Sequence, residues 1–581
     1  MKNSRHRIAA GMTVKMLGTC GELIIPYILE HMIDEVVPTK NIPRVFFFGF
    51  IMILAAIAVR YINVTANRMA VSVARDSIRR LRHDLFEKTS NLSGSRFDAF
   101  GLPSLTSRMT SDSYNVQNFI RMAQTLGVRA PIMLIGGVFV TMTMDFTLAM
   151  ILCVMIPILA TVIFFVSRRG IPMYNRVQES MDNVVRVMRE NITGIRVVKA
   201  LSKTDYEKKR FTGVNSEMTN RDIKAGITMA IPGPFMQLCL NVGLTAVVVV
   251  GANRVNAGRM QPGVILAFLT YFHMILEGVM ALNRMFIQLS KATASADRIG
   301  RVLEDPPDQR AISPEETDRP VSDDFIVFEH VSFGYQNNDD LQKMAQKQFT
   351  GGEREKCLED INFTIRRGET LGIIGPTGCG KTTIINLLMR FYDADEGGVY
   401  VQGRDVRTYD KDELHSMFGV VFQNDIIFAD TLESNISFRR GLSKEQVEKA
   451  AADAMALDFI REKENQFDYE ADIKGANLSG GQRQRILIAR ALAARPDILI
   501  FDDSSSALDY KTDAAFRKAI RENYSSTTTI MIAQRVSSIM NMTNIMVMED
   551  GRIIGYGKHE DLLKTCSAYL EIYESQMGAL A

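Results

Sequence analysis

Six runs of mostly apolar residues, each long enough to cross a bilayer, fill the first half of this chain. A helix needs about 20 such residues to traverse the hydrocarbon core. No water is present there, so backbone N–H and C=O groups must bond within the segment, which restricts such runs to helices. The spans are expected near 10–33, 44–68, 127–144, 147–168, 229–252 and 262–286. The apolar stretch from Pro131 to Val166 is too long for one span, and Asp145 near its middle predicts a tight turn between two. Short links follow spans one, three and five. Long polar links, at roughly 69–126 and 169–228, follow spans two and four and carry Arg79, Arg80, Arg82, Arg168, Arg169, Lys208 and Arg210. The positive-inside bias therefore places the long links, the N-terminus and the C-terminal half in the cytoplasm of a plasma membrane, by expectation a bacterial inner membrane. Ala74, Ile78, Leu81 and Leu85 recur at helical spacing, so the long links read as helices projecting beyond the bilayer.

Polar side chains inside spans are costly and are candidates for function. Glu22, Arg60, Gln237, Asn241, His273 and Glu277 stand out. His273 and Glu277 are four apart, on one helical face of the sixth span, where they could meet a cationic cargo or bind a neighbouring helix. The net charge of +2 suggests no nucleic-acid partner. The six cysteines are scattered without a CxxC pair, so neither a disulfide framework nor a zinc site is implied.

After Arg301 the composition changes. Residues 304–324 are rich in Pro, Asp and Glu, which is linker chemistry. The chain thus divides into a membrane domain at 1–303, a linker at 304–324 and a soluble domain at 325–581. In the last, FIVFEHVSF, ETLGIIG, ILIFDD, TTIMIA and NIMVMED alternate with helical patterns, predicting an α/β domain with a largely parallel sheet.

That domain carries Gly375, Pro376, Thr377, Gly378, Cys379, Gly380, Lys381, Thr382 and Thr383 between a strand-like LGII and a helix-like TTIINLLMRF. This fits the phosphate loop, in which glycines let backbone N–H groups curl around phosphates at a helix N-terminus. Lys381 would reach the outer phosphates and the Thr382 hydroxyl would hold Mg²⁺. Leu478-Ser479-Gly480-Gly481-Gln482 follows, then a basic helix, then a strand ending in Asp502 and Asp503. An acidic residue at such a strand end can organise Mg²⁺ through water, and the next can activate the attacking water.

These stretches together resemble the ATP-binding cassette (ABC) family. The order of six spans and then one motor resembles its type IV exporters, the multidrug and lipid exporter group. ENITGIRVVKA (190–200) and ALNRMFIQLSKATASADRI (281–299) extend the resemblance beyond the motor. It implies ATP and Mg²⁺ as ligands, Tyr335 stacked on adenine, and Gln423 sensing Mg²⁺ and the γ-phosphate. It also implies that Ser479 to Gln482 contact ATP on a partner's phosphate loop, and that Asp509, in Ser506-Ala-Leu-Asp509, links the two sites. Segments near 108–118 and 201–211 resemble the helices that dock on the motors. One motor per chain cannot form the two-ATP sandwich, so a second half-transporter is required.

Four departures from the family matter. Asp503 stands where a Glu is usual, and Gln534, in IAQRVSSI, where a His is usual. Asp is one methylene shorter, about 1.5 Å, and a misplacement of about 1 Å can cost on the order of 10²-fold. Gln534 can donate a hydrogen bond but has no ionisable ring. An insertion occupies 336–356, and Ile473 replaces an acidic residue before the signature. The expectation is a hydrolysis-impaired site in a heterodimer, favoured over a homodimer, exporting amphipathic small molecules, lipids or peptides. A homodimeric exporter or flippase, and an ATP-gated channel or regulator, are the alternatives.

Overall fold

The structure, a computed structural model, describes residues 5–306, 309, 312, 324–335, 356–504 and 508–578, with the side chain of residue 175 excluded. The insertion at 336–355, most of the linker and Ser506 lie outside the described residues. The chain forms two compact units. One comprises Met1–Lys88 and Thr106–Glu304; the other comprises Thr89–Leu105 and Asp305–Ala581.

The first unit is all helical, with six helices long and apolar enough to cross a membrane. They are built around α1 (Arg5–His31), α2 (Ile42–Ser90), a continuous helix over Leu102–Met144, α5 (Phe146–Thr193), then α7 with α8 over Thr204–Asn256, and α9 (Pro262–Leu303). The third of these contains α4 (Ser113–Pro131), flanked by π-helical turns at Arg108–Asp112 and Ile132–Gly136. α6 (Ile195–Ala200) joins α5 to α7 (Thr204–Ala230), which precedes α8 (Pro232–Asn256). Asp145 makes the turn before α5. Its backbone is extended, its carboxylate accepts from the N–H groups of Thr147 and Leu148 at 2.9 and 3.0 Å, and Arg254 pairs with it at 2.9 Å. The capping carboxylate satisfies amides that would otherwise be orphaned at the helix start.

Close helix contact depends on small residues. A Cβ on Gly243 of α8 would lie 2.2 Å from Phe272 Cζ of α9, so only glycine admits that ring. Phe268, Phe272 and Ile275 of α9 are fully buried with Leu148, Leu152 and Leu159 of α5.

The second unit holds two sheets. Four strands pair in the order β2-β1-β4-β5: β1 (Asp324–Phe333), β2 (Leu358–Arg366), β4 (Glu396–Val401) and β5 (Arg404–Asp405), all antiparallel. The larger sheet runs β10-β9-β3-β8-β7-β6, from β3 (Thr370–Ile374), β6 (Phe418–Val421), β7 (Ile498–Asp502), β8 (Thr528–Ile532), β9 (Asn544–Glu549) and β10 (Arg552–Gly557). It is parallel except for β10 on β9. FIVFEHVSF, grouped by sequence with the parallel strands, therefore lies in the separate antiparallel sheet. β7 and β8 are buried at every residue, as strands covered on both faces must be.

A short helix from the long link belongs to this unit. Ser93 caps α3 (Gly94–Phe100) by accepting from Arg96 N, and the Gly94 N–H donates to Phe391 O at 3.0 Å. The Tyr392 hydroxyl donates to Asp98 at 2.6 Å. The segment near 108–118, expected from sequence to dock on a motor, belongs to the other unit. Arg108 and Asp112 are buried within the other unit, where Asp112 accepts from Ser295 and pairs with Arg298 of α9. The second segment, near 201–211, is resolved as the α6–α7 turn followed by the start of α7.

A Cβ at residue 94 would stand 2.8 Å from both Phe391 O and Tyr392 Cζ. Gly94→Val should therefore undock α3 and raise the rate of limited proteolysis within 89–105 severalfold while leaving ATP binding intact. An unchanged cleavage rate would contradict this docking.

Candidate nucleotide site

The parallel order sets the site. β8 lies between β3 and β7, and Ile532 pairs with both Ile373 and Asp502. The C-terminal ends of the three strands thus open on one edge, where α/β sheets bind ligands. After β3 the chain turns through Gly378 and Gly380, both left-handed at φ +89 and +98, and enters α10 (Lys381–Leu388). A Cβ on Gly378 would meet open space, whereas one on Gly380 would lie 2.5 Å from Leu358. Lys381 Nζ donates back to the carbonyls of Gly375 and Pro376 at 2.8 and 2.6 Å, so its ammonium lies across the loop.

A cavity of about 290 Å³ opens here. Tyr335, Thr377, Gly378, Gly380, Lys381, Thr382, Thr383, Gln423, Asp502, Asp503 and Gln534 line it, all expected from sequence. The Thr382 hydroxyl donates to Asp502 at 2.8 Å, bringing two oxygen donors suited to Mg²⁺ to one point. Burial pushes the Asp502 carboxyl above the usual range, the Thr382 hydroxyl pulls it back, and the neighbouring Asp503 raises it again. Burial also raises Asp503, against Lys381 and Gln534, which lower it. Two adjoining carboxyls whose ionisation is opposed by burial form a donor set that a hard dication would relieve. The residues present therefore fit a magnesium nucleotide.

Asp503 has a left-handed backbone, with φ 49, and its N–H donates to Ile532 O at 3.0 Å. Its carboxylate accepts from Gln534 Nε2 at 2.8 Å. Tyr335 stands edge-on to Phe333 and Tyr392, and its hydroxyl lies 3.2 Å from the Thr383 hydroxyl.

Other expected residues lie elsewhere. Cys379 is buried at 5% exposure, with Lys381 Nζ 3.6 Å from its sulfur. Ser479 caps α11 (Gly480–Ala493) in a reciprocal pair with Gln482, at 3.2 and 3.1 Å, leaving Gly480 and Gly481 at the helix start. None of Ser479 to Gln482 lines the cavity. Asp509 caps α12 (Tyr510–Asn523) by accepting from Thr512.

Besides Ile532, which lines the cavity at the end of β8, two residues of the motor unit escaped sequence reasoning. Cys357 lines the cavity, 3.4 Å from the Thr383 hydroxyl. Gln576, on the C-terminal helix Ser567–Met577, donates to Gln534 O and accepts from Val536 N, both at 2.8 Å. It pins the loop that carries Gln534. No local motif marks either residue, because each reaches the site only through the fold.

In the membrane unit, Glu22 and Glu277 both approach Arg129, which sequence reasoning missed. Arg129 Nε donates to Glu22 at 3.1 Å, and its NH2 lies 3.7 Å from Glu277. Glu22 also accepts from Asn63, whose oxygen receives Lys15 Nζ at 2.6 Å. His273 lies 3.7 Å from Glu277. Glu277 thus has Arg129 and His273 nearby, neither within hydrogen-bond distance. Gln237 and Asn241 are exposed on α8, outside this cluster.

Two outcomes follow from the geometry. A maleimide should label Cys357 several times faster than Cys379, and ATP should slow the Cys357 reaction; peptide mass spectrometry reads both sites. Gln576→Ala should lower the nucleotide turnover of this chain purified alone about 3–10-fold, the loss of roughly 1 kcal/mol of hydrogen bonding, with ATP affinity unchanged.

The chain matches two family descriptions, the ABC transporter transmembrane region over residues 8–279 and the ABC transporter over 358–506. It is 32% identical to an uncharacterized ABC transporter ATP-binding protein of Mycobacterium tuberculosis (strain CDC 1551 / Oshkosh), over 98% of this chain and 96% of that one. A similar protein of Bacillus subtilis, YfiB, is 32% identical over 99% and 97%. The ATP-dependent lipid A-core flippase of Methylobacillus flagellatus is 32% identical over 90% and 87%. The fold matches that of a bacterial Atm1-family ABC exporter with ATP bound, at a TM-score of 0.80, 22% identity and 99% coverage of both chains. With a phosphate loop, paired strand-end carboxylates and six membrane-length helices on one polypeptide, this chain belongs to the ABC transporter family, whose ATPase domain couples ATP hydrolysis to transport.

Proposed function

We propose that this chain is one subunit of a heterodimeric exporter, that it moves amphipathic small molecules, lipids or peptides out of the cytoplasm, and that its own phosphate loop binds ATP but hydrolyses it poorly. The N-terminus and ATPase domain are cytoplasmic in this reading. The observation that carries the impaired site is the Gln534–Asp503 hydrogen bond. The family's Glu would extend about 1.5 Å further toward the γ-phosphate. Here the shorter carboxylate is engaged by the side chain that replaces the switch His. A base held short of its water loses on the order of 10²-fold in rate.

Lys381 and the loop amides bind the phosphates, and Tyr335 packs on adenine. Thr382, Gln423 and Asp502 would hold Mg²⁺. The ion supplies charge neutralisation at the outer phosphates. Ser479 to Gln482 serve the partner's phosphate loop, which fits their absence from this chain's own cavity. The apolar surface at the α5–α7 turn, with Ile192, Val197, Leu201 and Tyr206 each more than 60% exposed, suits docking on the partner's motor. Ile473, 75% exposed before the signature, offers that partner an apolar contact in place of a charge.

Purified alone, this chain should show weak ATPase activity. Asp503→Glu combined with Gln534→His should raise it by at least about tenfold, part of the lost positioning term. Brisk activity of the lone chain, abolished by Asp503→Asn, would overturn the impaired site.

A further inference from the structure

The chain of polar contacts in the membrane unit has a closed end and an open end. At the closed end, Lys15 is 5% exposed and donates to Asn63 and Asn67, and both Glu22 oxygens are taken, by Asn63 and by Arg129. Helix α1 reaches α2 closely enough because residue 18 is glycine; a Cβ there would lie 2.9 Å from Asn63. Glu22 therefore acts as the anchor that orients Arg129.

The open end is different. Arg129 spends only its Nε on a hydrogen bond among the described residues, so its terminal N–H donors remain available. The Glu277 carboxylate sits 3.7 Å from Arg129 and 3.7 Å from His273, too far for a hydrogen bond to either. The side chains of Arg129, Glu277 and His273 are 35%, 49% and 60% exposed. Thr270, His273 and Glu277 share one exposed face of α9. Arg129 lies about 24 Å along its helix from the Asp145 turn, and Glu277 about 22 Å from the start of α9, both within the depth of a bilayer. Charges of both signs at that depth cannot face acyl chains alone.

We propose that Arg129 and Glu277 form a binding site for a zwitterionic headgroup, the phosphate donated to by the Arg129 guanidinium and the ammonium accepted by Glu277, as in an ethanolamine phospholipid. This deepens the exporter reading and rests on it. A purely cationic cargo would meet Arg129, and a purely anionic one would meet Glu277. A headgroup with both charges on a short spacer satisfies both at once and separates a pair that is itself not hydrogen-bonded. The lipid carries its own hydrocarbon to a site at bilayer depth. His273 flanks the carboxylate and completes the polar face.

Native mass spectrometry of the delipidated full-length chain, without nucleotide, tests the site. Phosphatidylethanolamine, phosphatidylglycerol and a trimethylammonium lipid are added in competition. The wild type should prefer phosphatidylethanolamine over each competitor by about tenfold, a difference of about 1.4 kcal/mol. Glu277→Gln should erase the preference over phosphatidylglycerol, and Arg129→Gln the preference over the cationic lipid. No preference in the wild type, or a preference untouched by Glu277→Gln, overturns the site. The Glu277 variant decides if loss of Arg129 disturbs folding, because Glu277 makes no hydrogen bond among the described residues to be lost. Labelled ATP binding on the same samples keeps the two readings apart: failure to bind ATP strikes the exporter reading, whereas intact ATP binding with no lipid preference strikes only the headgroup site.

Discussion

The parallel pairing of β8 with β3 on one side and β7 on the other is the constraint on which the nucleotide end depends. Because Ile532 is in register with both Ile373 and Asp502, the loop after β3, the carboxylates after β7 and the segment after β8 must emerge together. Thr382, Asp502, Asp503 and Gln534, spread over the sequence, are neighbours for that reason alone. The strands hold register because their side chains are buried on both faces, and a slip of one residue would move Ile530 or Ile500 to the opposite face and break the packing there. Chemistry at the sheet edge is in this sense a consequence of apolar packing within it.

The membrane end obeys a different rule. Its apolar surface gains little from leaving lipid, so close contact through glycine and satisfied polar groups sets which helices meet. Gly243 admits Phe272, Gly18 admits Asn63, and the Glu22–Arg129 bond ties α1 to α4. Where the polar chain is complete it fixes structure. Where it stops short, at Glu277 and His273, it leaves capacity for something else.

The nucleotide motif was legible because its residues are contiguous and its chemistry needs glycine, lysine and hydroxyl at set spacing. The six membrane helices were legible because hydropathy over about 20 residues is a strong signal. Other features needed the fold. Cys357 and Gln576 enter the site from distant segments, and Arg129 and Glu22 are 107 positions apart. The docking helix at Gly94–Phe100 was missed for a local reason. Ser93 breaks a long helical pattern with a cap, and nothing in the apolar periodicity marks the break. FIVFEHVSF read as a strand, but its alternation could not say that the partner strands run antiparallel.

In the function we propose, nucleotide on this chain's phosphate loop is held rather than consumed. Photolabelling the assembled transporter during turnover with azido-ATP carrying its label on either the α- or the γ-phosphate tests it directly. This polypeptide should keep the γ-label as well as the α-label while its partner keeps only the α-label. Equal loss of the γ-label from both polypeptides would contradict it.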